Sequence, residues 1–483
     1  MAWNPDLEVM FHPTTIAVIG ASRTKPGQGW LGLLGSIRQF GFTGRIYPIN
    51  PNAAEINGLK AYPNLVSVPE PIDLVIISVP APGVPEALKD CIASGNKNVH
   101  IFTAGFKETG EEEGIELQKE IEEIAHSGDL RVVGPNCMGL YVPKFRLVTW
   151  TPAPAESGPV AFVTQSGGHA GDFANYASQL GIHFSKAISY GNALTLDSTD
   201  FLEYLADDAE TRIITMYLEG VKDGSKLLRL VKEINRTKPM IILKGGLTES
   251  GARAVASHTG SLAGGENVWS AFFKQSGAVR VNSLNEMADV ALAFLHLSPP
   301  QGRSVAIIGT GGGVGVAAAD ACAGAGLEVP TLSTETLKEL RGFISPAGTS
   351  IRNPLDADVF LGEISLLERA LEAVSVDPLI DMLIISLHLD WLYDIAQGDN
   401  IVKLANYLAT SARNHVHNKP YVVSWRTYRG DPDLDRARAM MQQELLSAGV
   451  PVYEGIPRAA TALAKLAEHH HVKMRSDSGA IQN

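Results

Sequence analysis

A short apolar run, closed by a glycine turn and followed by a helical stretch, is the feature that most restricts the fold. The chain uses it as an opening three times. Residues 16–19 run into Gly20-Ala21-Ser22, residues 160–163 into Thr164-Gln165-Ser166-Gly167-Gly168, and residues 305–308 into Gly309-Thr310-Gly311-Gly312-Gly313. Apolar runs of four or five residues without polar alternation are strands buried on both faces, which means parallel sheet covered by helices. Further runs stand at 46–49, 74–79, 99–102, 132–133, 213–218, 240–243, 383–387 and 421–424, with helical patterns between several of them, such as 85–93 and 111–125. The expected class is α/β, with three consecutive doubly wound domains, the first Rossmann-like and the second and third flavodoxin-like.

At 483 residues the chain is too long for one core. Two Pro-rich connectors, at 150–158 and at Ser298-Pro299-Pro300-Gln301-Gly302, divide it. The predicted domains are 1–145, 146–298 and 299–470, with a polar tail at 471–483 expected to be mobile. Forty basic and fifty-two acidic side chains give a net charge of −12, which argues against nucleic acid or an anionic membrane as partner. A local basic pocket for a phosphorylated ligand remains open. No apolar run reaches the ~20 residues needed to span a bilayer. The start Met-Ala-Trp-Asn-Pro-Asp does not read as a signal peptide. Cys91, Cys137 and Cys322 are far apart, without disulfide or metal-ligand spacing, so a cytoplasmic location and no metal site are expected.

In the first domain, Gly20, Ser22, Arg23 and Lys25 follow the first strand, where a glycine turn lets backbone approach a phosphate or nucleotide. The full Gly-x-Gly-x-x-Gly fingerprint is absent, and this turn alone suits a nicotinamide or a CoA equally. Asn50 stands at the end of the second strand, where a nicotinamide site would place an acidic residue for the ribose. Val79-Pro80 and Thr103-Ala104-Gly105 end the third and fourth strands. In the second domain, Ser166, Gly167 and Gly168 open a helix, either as an ordinary cap or as an anion site. His169 reads as first-turn helix surface. Tyr217-Leu218-Glu219-Gly220 ends a strand in a carboxylate, which alone reads as a solvated terminal Glu. His258 lies beyond the strand at 240–243, in a Gly/Ser/Ala-rich stretch expected to be a loop, where strand-end loops of α/β sheets bind ligands.

The stretch Lys244-Gly245-Gly246-Leu247-Thr248-Glu249-Ser250-Gly251, followed by Ser257-His258-Thr259-Gly260-Ser261-Leu262-Ala263-Gly264, resembles the phosphohistidine loop of the NDP-forming acyl-CoA synthetases, relatives of succinyl-CoA synthetase. Gly134-Pro135-Asn136-Cys137-Met138-Gly139 resembles that family's turn into its second domain. The likeness covers roughly residues 10–470, and the domain order matches the α subunit of ADP-forming acetyl-CoA synthetases. It implies CoA binding by Gly20, Ser22, Arg23, Lys25, Asn50, Val79, Pro80 and Thr103. It implies a phosphoryl group relayed through His258 with Glu219 as orienting carboxylate, and phosphate held by Ser166, Gly167, Gly168, Gly311, Gly312 and Gly313. The implied reaction is acid + CoA + ATP ⇌ acyl-CoA + ADP + phosphate, on a small carboxylic acid. No stretch resembles the family's ATP-grasp fold, so ATP/ADP with Mg is expected on a separate ATP-grasp β subunit, in an α2β2 assembly. Two other readings stand beside it: a non-catalytic CoA-binding regulatory module, and an NAD-dependent oxidoreductase. The motif at Asn353-Pro354-Leu355-Asp356 resembles a family motif without an evident chemical role.

Overall fold

The computed structural model describes residues 5–22, 32–150, 152–259, 264–309, 311–345, 349–356, 364–396, 399–414 and 419–479, and statements of number or absence below refer to these. The chain forms two compact units, Met1–Leu284 and Asn285–Asn483.

The first unit holds two sheets. Strands β1 (Thr15–Ile19), β2 (Arg45–Ile49), β5 (Leu74–Ile77), β6 (Asn98–Ile101) and β7 (Arg131–Val133) pair in the order β2-β1-β5-β6-β7, all parallel, while β3 (Glu55–Ile56) and β4 (Leu59–Lys60) form a separate hairpin. Ile16 and Val18 join one hydrophobic core, and Ala17 and Ile19 join another. Neighbouring residues thus face opposite sides and both are buried, which is why these runs lack polar alternation. The chain passes from β1 to β2 on one side and then to β5 on the other. That reversal leaves a crevice beyond the carboxyl end of β1.

The second sheet contains β8 (Gly139–Val142), β9 (Leu147–Val148), β10 (Ser157–Thr164), β11 (Phe184–Ser189), β12 (Ile213–Leu218), β13 (Met240–Lys244) and β14 (Val279–Val281), in the order β14-β13-β12-β10-β11-β8-β9. Its parallel part repeats the arrangement of the first sheet, with the reversal at β10. Strand β8 runs antiparallel to β11, and β9 antiparallel to β8. The boundary expected at 145 therefore falls inside a hairpin that belongs to the second sheet. The turn before it is already fastened there: Leu194 N–H donates to Gly134 O at 2.8 Å and Asn192 N–H to Pro135 O at 3.0 Å.

In the second unit β15 (Val305–Ile308), β16 (Met382–His388), β17 (Tyr421–Arg426) and β18 (Val452–Glu454) form a parallel sheet in chain order. Leu355 bridges to Ile308 in parallel register, so the Asn353-to-Asp356 motif adds an edge to β15. Asn353 secures it, donating to Val305 O and Pro330 O and accepting from Ile307 N–H. The helix Leu284–His296, expected in the second domain, contributes Asp289, which Arg458 holds through two contacts of 2.7 Å. The tail expected to be mobile from 471 continues a helix, Ile456–Gly479, whose buried Ala459, Leu463, Leu466 and Ala467 recur at helical spacing. No helix is long and apolar enough to cross a membrane.

Candidate active site

The reversal at β1 opens a cavity of about 640 Å³ whose walls include Gly20, Asn50, Asn52, Val79 and Lys89. Gly20 is obligatory: its φ is +86°, and an added Cβ would stand 2.8 Å from Ser78 O. Asn50 braces the wall, its Nδ2 donating to Ala21 O at 3.0 Å and its Oδ1 accepting from Asn52 N–H at 2.8 Å. Thr103 sits one turn away and donates to Val79 O at 2.6 Å, fastening the β5 and β6 turns together. Pro80 and Ser22 are exposed on neighbouring turns. Arg23 and Lys25 lie outside the described residues. The structure thus brings Gly20, Asn50 and Val79 to one cavity and leaves Pro80 and Thr103 at its margin. The wall offers backbone able to approach closely and no carboxylate at the end of β2 to select a ribose diol; its cation, Lys89, pairs with Glu86 at 3.9 Å, and Asp90 also lines it.

A second constellation forms where β10, β12 and β13 end. Ser166 caps the helix Gly167–Gln179, accepting from His169 N–H, and is itself held by Thr164. The N–H groups of Gly167 and Gly168 have no acceptor among the described residues, and Gly168 is exposed. Free N–H groups at the start of a helix attract anions. Glu219, one residue past β12, is buried, and its Oε2 has no hydrogen-bond partner. Two residues that were not assigned from sequence, Gln165 and Lys244, stand beside it. Gln165 Oε1 accepts from Glu219 N–H at 2.5 Å and Gly220 N–H at 2.9 Å. The buried Lys244 donates to Glu219 O at 2.9 Å and to Gly245 O, and lies 5.0 Å from the Trp269 ring centre. Burial pushes the Lys244 ammonium down to about 8, against the opposing charge of Glu219. His169, expected on the surface, is half-buried and stacks on Tyr217 with ring centres 4.4 Å apart. Burial lowers its pKa below the usual imidazole value, against Asp172 and Glu219. Gly245 must lack a side chain, because a Cβ would come within 2.6 Å of the Tyr217 hydroxyl.

His258 belongs to a helix, Glu249–Thr259, rather than to a loop. Thr248 starts it, accepting from Gly251 N–H through its hydroxyl and from Ala252 N–H through its carbonyl. Alanines then carry the helix, because they lose no side-chain entropy in it. The helix packs on the turn Lys107–Thr109 of the first sheet's domain. The side chain of His258 lies outside the described residues. In the second unit, Gly311 caps the helix Gly312–Gly324 without a side-chain bond, and Gly312 and Gly313 face open space. Gly312 N–H is already taken by Asp356 Oδ2 at 3.2 Å, so that helix start holds a carboxylate of its own.

Three family models match in order: a CoA binding domain over 14–143, a succinyl-CoA ligase like flavodoxin domain over 157–294, and a ligase-CoA domain over 305–464. Among curated relatives, the alpha subunit of acetate–CoA ligase [ADP-forming] II of Pyrococcus furiosus is 41% identical over 350 residues, covering 72% of this chain and 76% of that one. Acetate–CoA ligase [ADP-forming] I of Archaeoglobus fulgidus is 38% identical over 474 residues, 97% of this chain, and this chain spans 64% of its length. Among solved structures, dinucleotide forming acetyl-coenzyme A synthetase 1 of Ca. Korarchaeum cryptofilum, in complex with phosphate and ADP, superimposes with a TM-score of 0.83 at 31% identity, covering 98% of this chain and 99% of that one. The domain order and these likenesses agree, and the chain belongs to the family of ADP-forming acetate–CoA ligases.

Proposed function

We propose that this chain is the CoA-binding, phosphohistidine-bearing part of an ADP-forming acyl-CoA synthetase: acid + CoA + ATP ⇌ acyl-CoA + ADP + phosphate. The observation that carries the reading is the β10–β12 edge, where free N–H groups of Gly167 and Gly168 stand at the same strand edge as a buried carboxylate with an unpartnered oxygen. In the direction of acyl-CoA breakdown, phosphate displaces the CoA thiol from the thioester, giving acyl phosphate and free CoA. A nitrogen of His258 then takes the phosphoryl group, and the carboxylic acid leaves. Glu219 orients the imidazole and favours the tautomer with a free nitrogen. The helix start at Ser166 offers fixed dipoles to the developing negative charge. The cavity at Gly20 holds CoA.

The nucleotide step is assigned to a Mg-dependent ATP-grasp β subunit, in an α2β2 assembly. The relative from Pyrococcus is named as an alpha subunit, and that from Archaeoglobus extends well beyond the present chain. Acetate is the default acid. The test is incubation of the full chain with acetyl-CoA and radiolabelled phosphate. Label that is lost in acid and survives base, and that disappears in His258→Ala while CoA affinity stays within a few-fold, is the expected result. Wild-type-level labelling of that variant refutes the assignment. In calorimetry CoA should bind more tightly than NAD, and the reverse order favours an oxidoreductase.

A further inference from the structure

Gln165 stands at the reversal point of the second sheet, between the end of β10 and the cap Ser166. Its amide oxygen is committed twice, to Glu219 N–H and Gly220 N–H. Only an oxygen can accept from a backbone N–H, so the two ends of this amide are distinguishable. Nε2 keeps two N–H groups without a hydrogen-bond partner among the described residues, and it is not one of the fully enclosed unpartnered atoms of these residues, so a ligand can reach it. Glu219 Oε2 and the N–H groups of Gly167 and Gly168 are unsatisfied at the same strand edge. Together the two glycine N–H groups and the Gln165 amide offer an anionic ligand several donors at one edge, while the buried Glu219 Oε2, an acceptor, is left for an imidazole N–H.

We propose that Gln165 is a ligand of the transferred phosphoryl group, donating through Nε2 while its oxygen holds the end of β12. This rests on the phosphohistidine reading and adds to it the side-chain donor that the glycine-opened helix lacks. A neutral amide suits the position. An amide donates to a phosphoryl oxygen without adding a second cation beside Glu219, which already faces Lys244. A purely structural clamp would need only the acceptor.

Gln165→Glu separates the two roles, because it keeps an acceptor for both backbone N–H groups and replaces the donor by a second carboxylate oxygen. Among the described residues, the titratable groups at this edge are Tyr217 of β12 and Glu219 just past it, His169 and Asp172 of the helix Gly167–Gln179, and Lys244 of β13. Taking the ratio of variant to wild type at each pH cancels their common contribution. Labelling by acetyl-CoA and radiolabelled phosphate should fall about a hundredfold in Gln165→Glu near neutral pH, the scale of one lost charge-stabilising donor. The deficit should shrink as pH falls, because two carboxyls in one site raise a pKa and the protonated form regains a donor. Gln165→Met, lacking both functions, should lose labelling at every pH, and both variants should bind CoA as wild type does. Wild-type labelling by Gln165→Glu, or a pH-independent deficit equal to that of Gln165→Met, overturns the proposal alone. A wild-type chain that takes no label overturns the phosphohistidine reading and this proposal with it.

Discussion

Replacing Gly20 by alanine tests whether the close approach at the end of β1 shapes the CoA cavity. The backbone there has φ +86°, and a left-handed conformation costs an alanine about 1–2 kcal/mol. A Cβ would also stand 2.8 Å from Ser78 O and 2.9 Å from Val79 Cγ1. The carbonyl is backbone and yields only if the end of β5 moves, a displacement of the kind that costs about 1–3 kcal/mol in packed interiors. Gly58 supplies the control. Its φ is +79°, and nothing lies within 4 Å of its Cβ position. Gly58→Ala should therefore lose only the conformational part, about 1–2 kcal/mol, while Gly20→Ala loses about 2–5 kcal/mol. Urea unfolding followed by an optical probe measures both. Because Val79 lines the cavity, CoA affinity by calorimetry should fall at least about tenfold in Gly20→Ala, or about 1.4 kcal/mol, and stay unchanged in Gly58→Ala. Equal destabilisation of the two variants with intact CoA binding would show that the contact with Ser78 does not set the cavity wall.

Lys244 should impose a pH limit on the relay. Its ammonium, pushed down to about 8 by burial, carries charge below that pH and loses it above, so wild-type labelling of His258 should decline as pH rises through about 8. Lys244→Met should lack that inflection, and an inflection that persists unchanged in the variant refutes the link. In the second unit, Arg458→Met would leave the buried Asp289 carboxylate unpaired, which costs about 3–5 kcal/mol. The Asp289 pKa is raised by burial even beside Arg458, and removing the arginine raises it further. A raised folded pKa means that protonation restores stability, so the loss measured by urea unfolding should shrink as pH falls, and adding Asp289→Asn should recover part of it. A Arg458→Met variant as stable as wild type contradicts this account.

The strands were legible because parallel sheets buried on both faces leave an uninterrupted apolar signature, as at Thr15–Ile19 and Met240–Lys244. The glycine turns were legible for a related reason, since only glycine tolerates the backbone at Gly20. The helix carrying His258 was misread because Ser, Gly and Ala look like loop, although Thr248 in front of it and Glu249 in its first turn are helix-start signals. Gln165 and Lys244 gave no local sign. Their roles come from Glu219 and Gly220, more than fifty and about twenty-five positions away in sequence, brought alongside by sheet pairing. Asp356 was equally silent, since its partner Gly312 is set by the edge that Leu355 adds to β15.

The hairpin of β8 and β9 has a bearing on how such a protein can be divided or recombined. A cut at residue 145 would leave β8, with Leu140, Tyr141 and Val142 all buried in the intact chain, dangling from the first fragment. The other fragment would begin with an uncovered β11 edge. Unpaired apolar edges recruit other chains, so both pieces would be prone to aggregate. The position that keeps both sheets whole lies before Gly139, inside a turn whose Gly134 and Pro135 carbonyls are already bonded to Leu194 and Asn192. Chimeras that exchange the CoA-binding half for that of a relative should therefore take this turn and its acceptor segment together, as one inherited cassette.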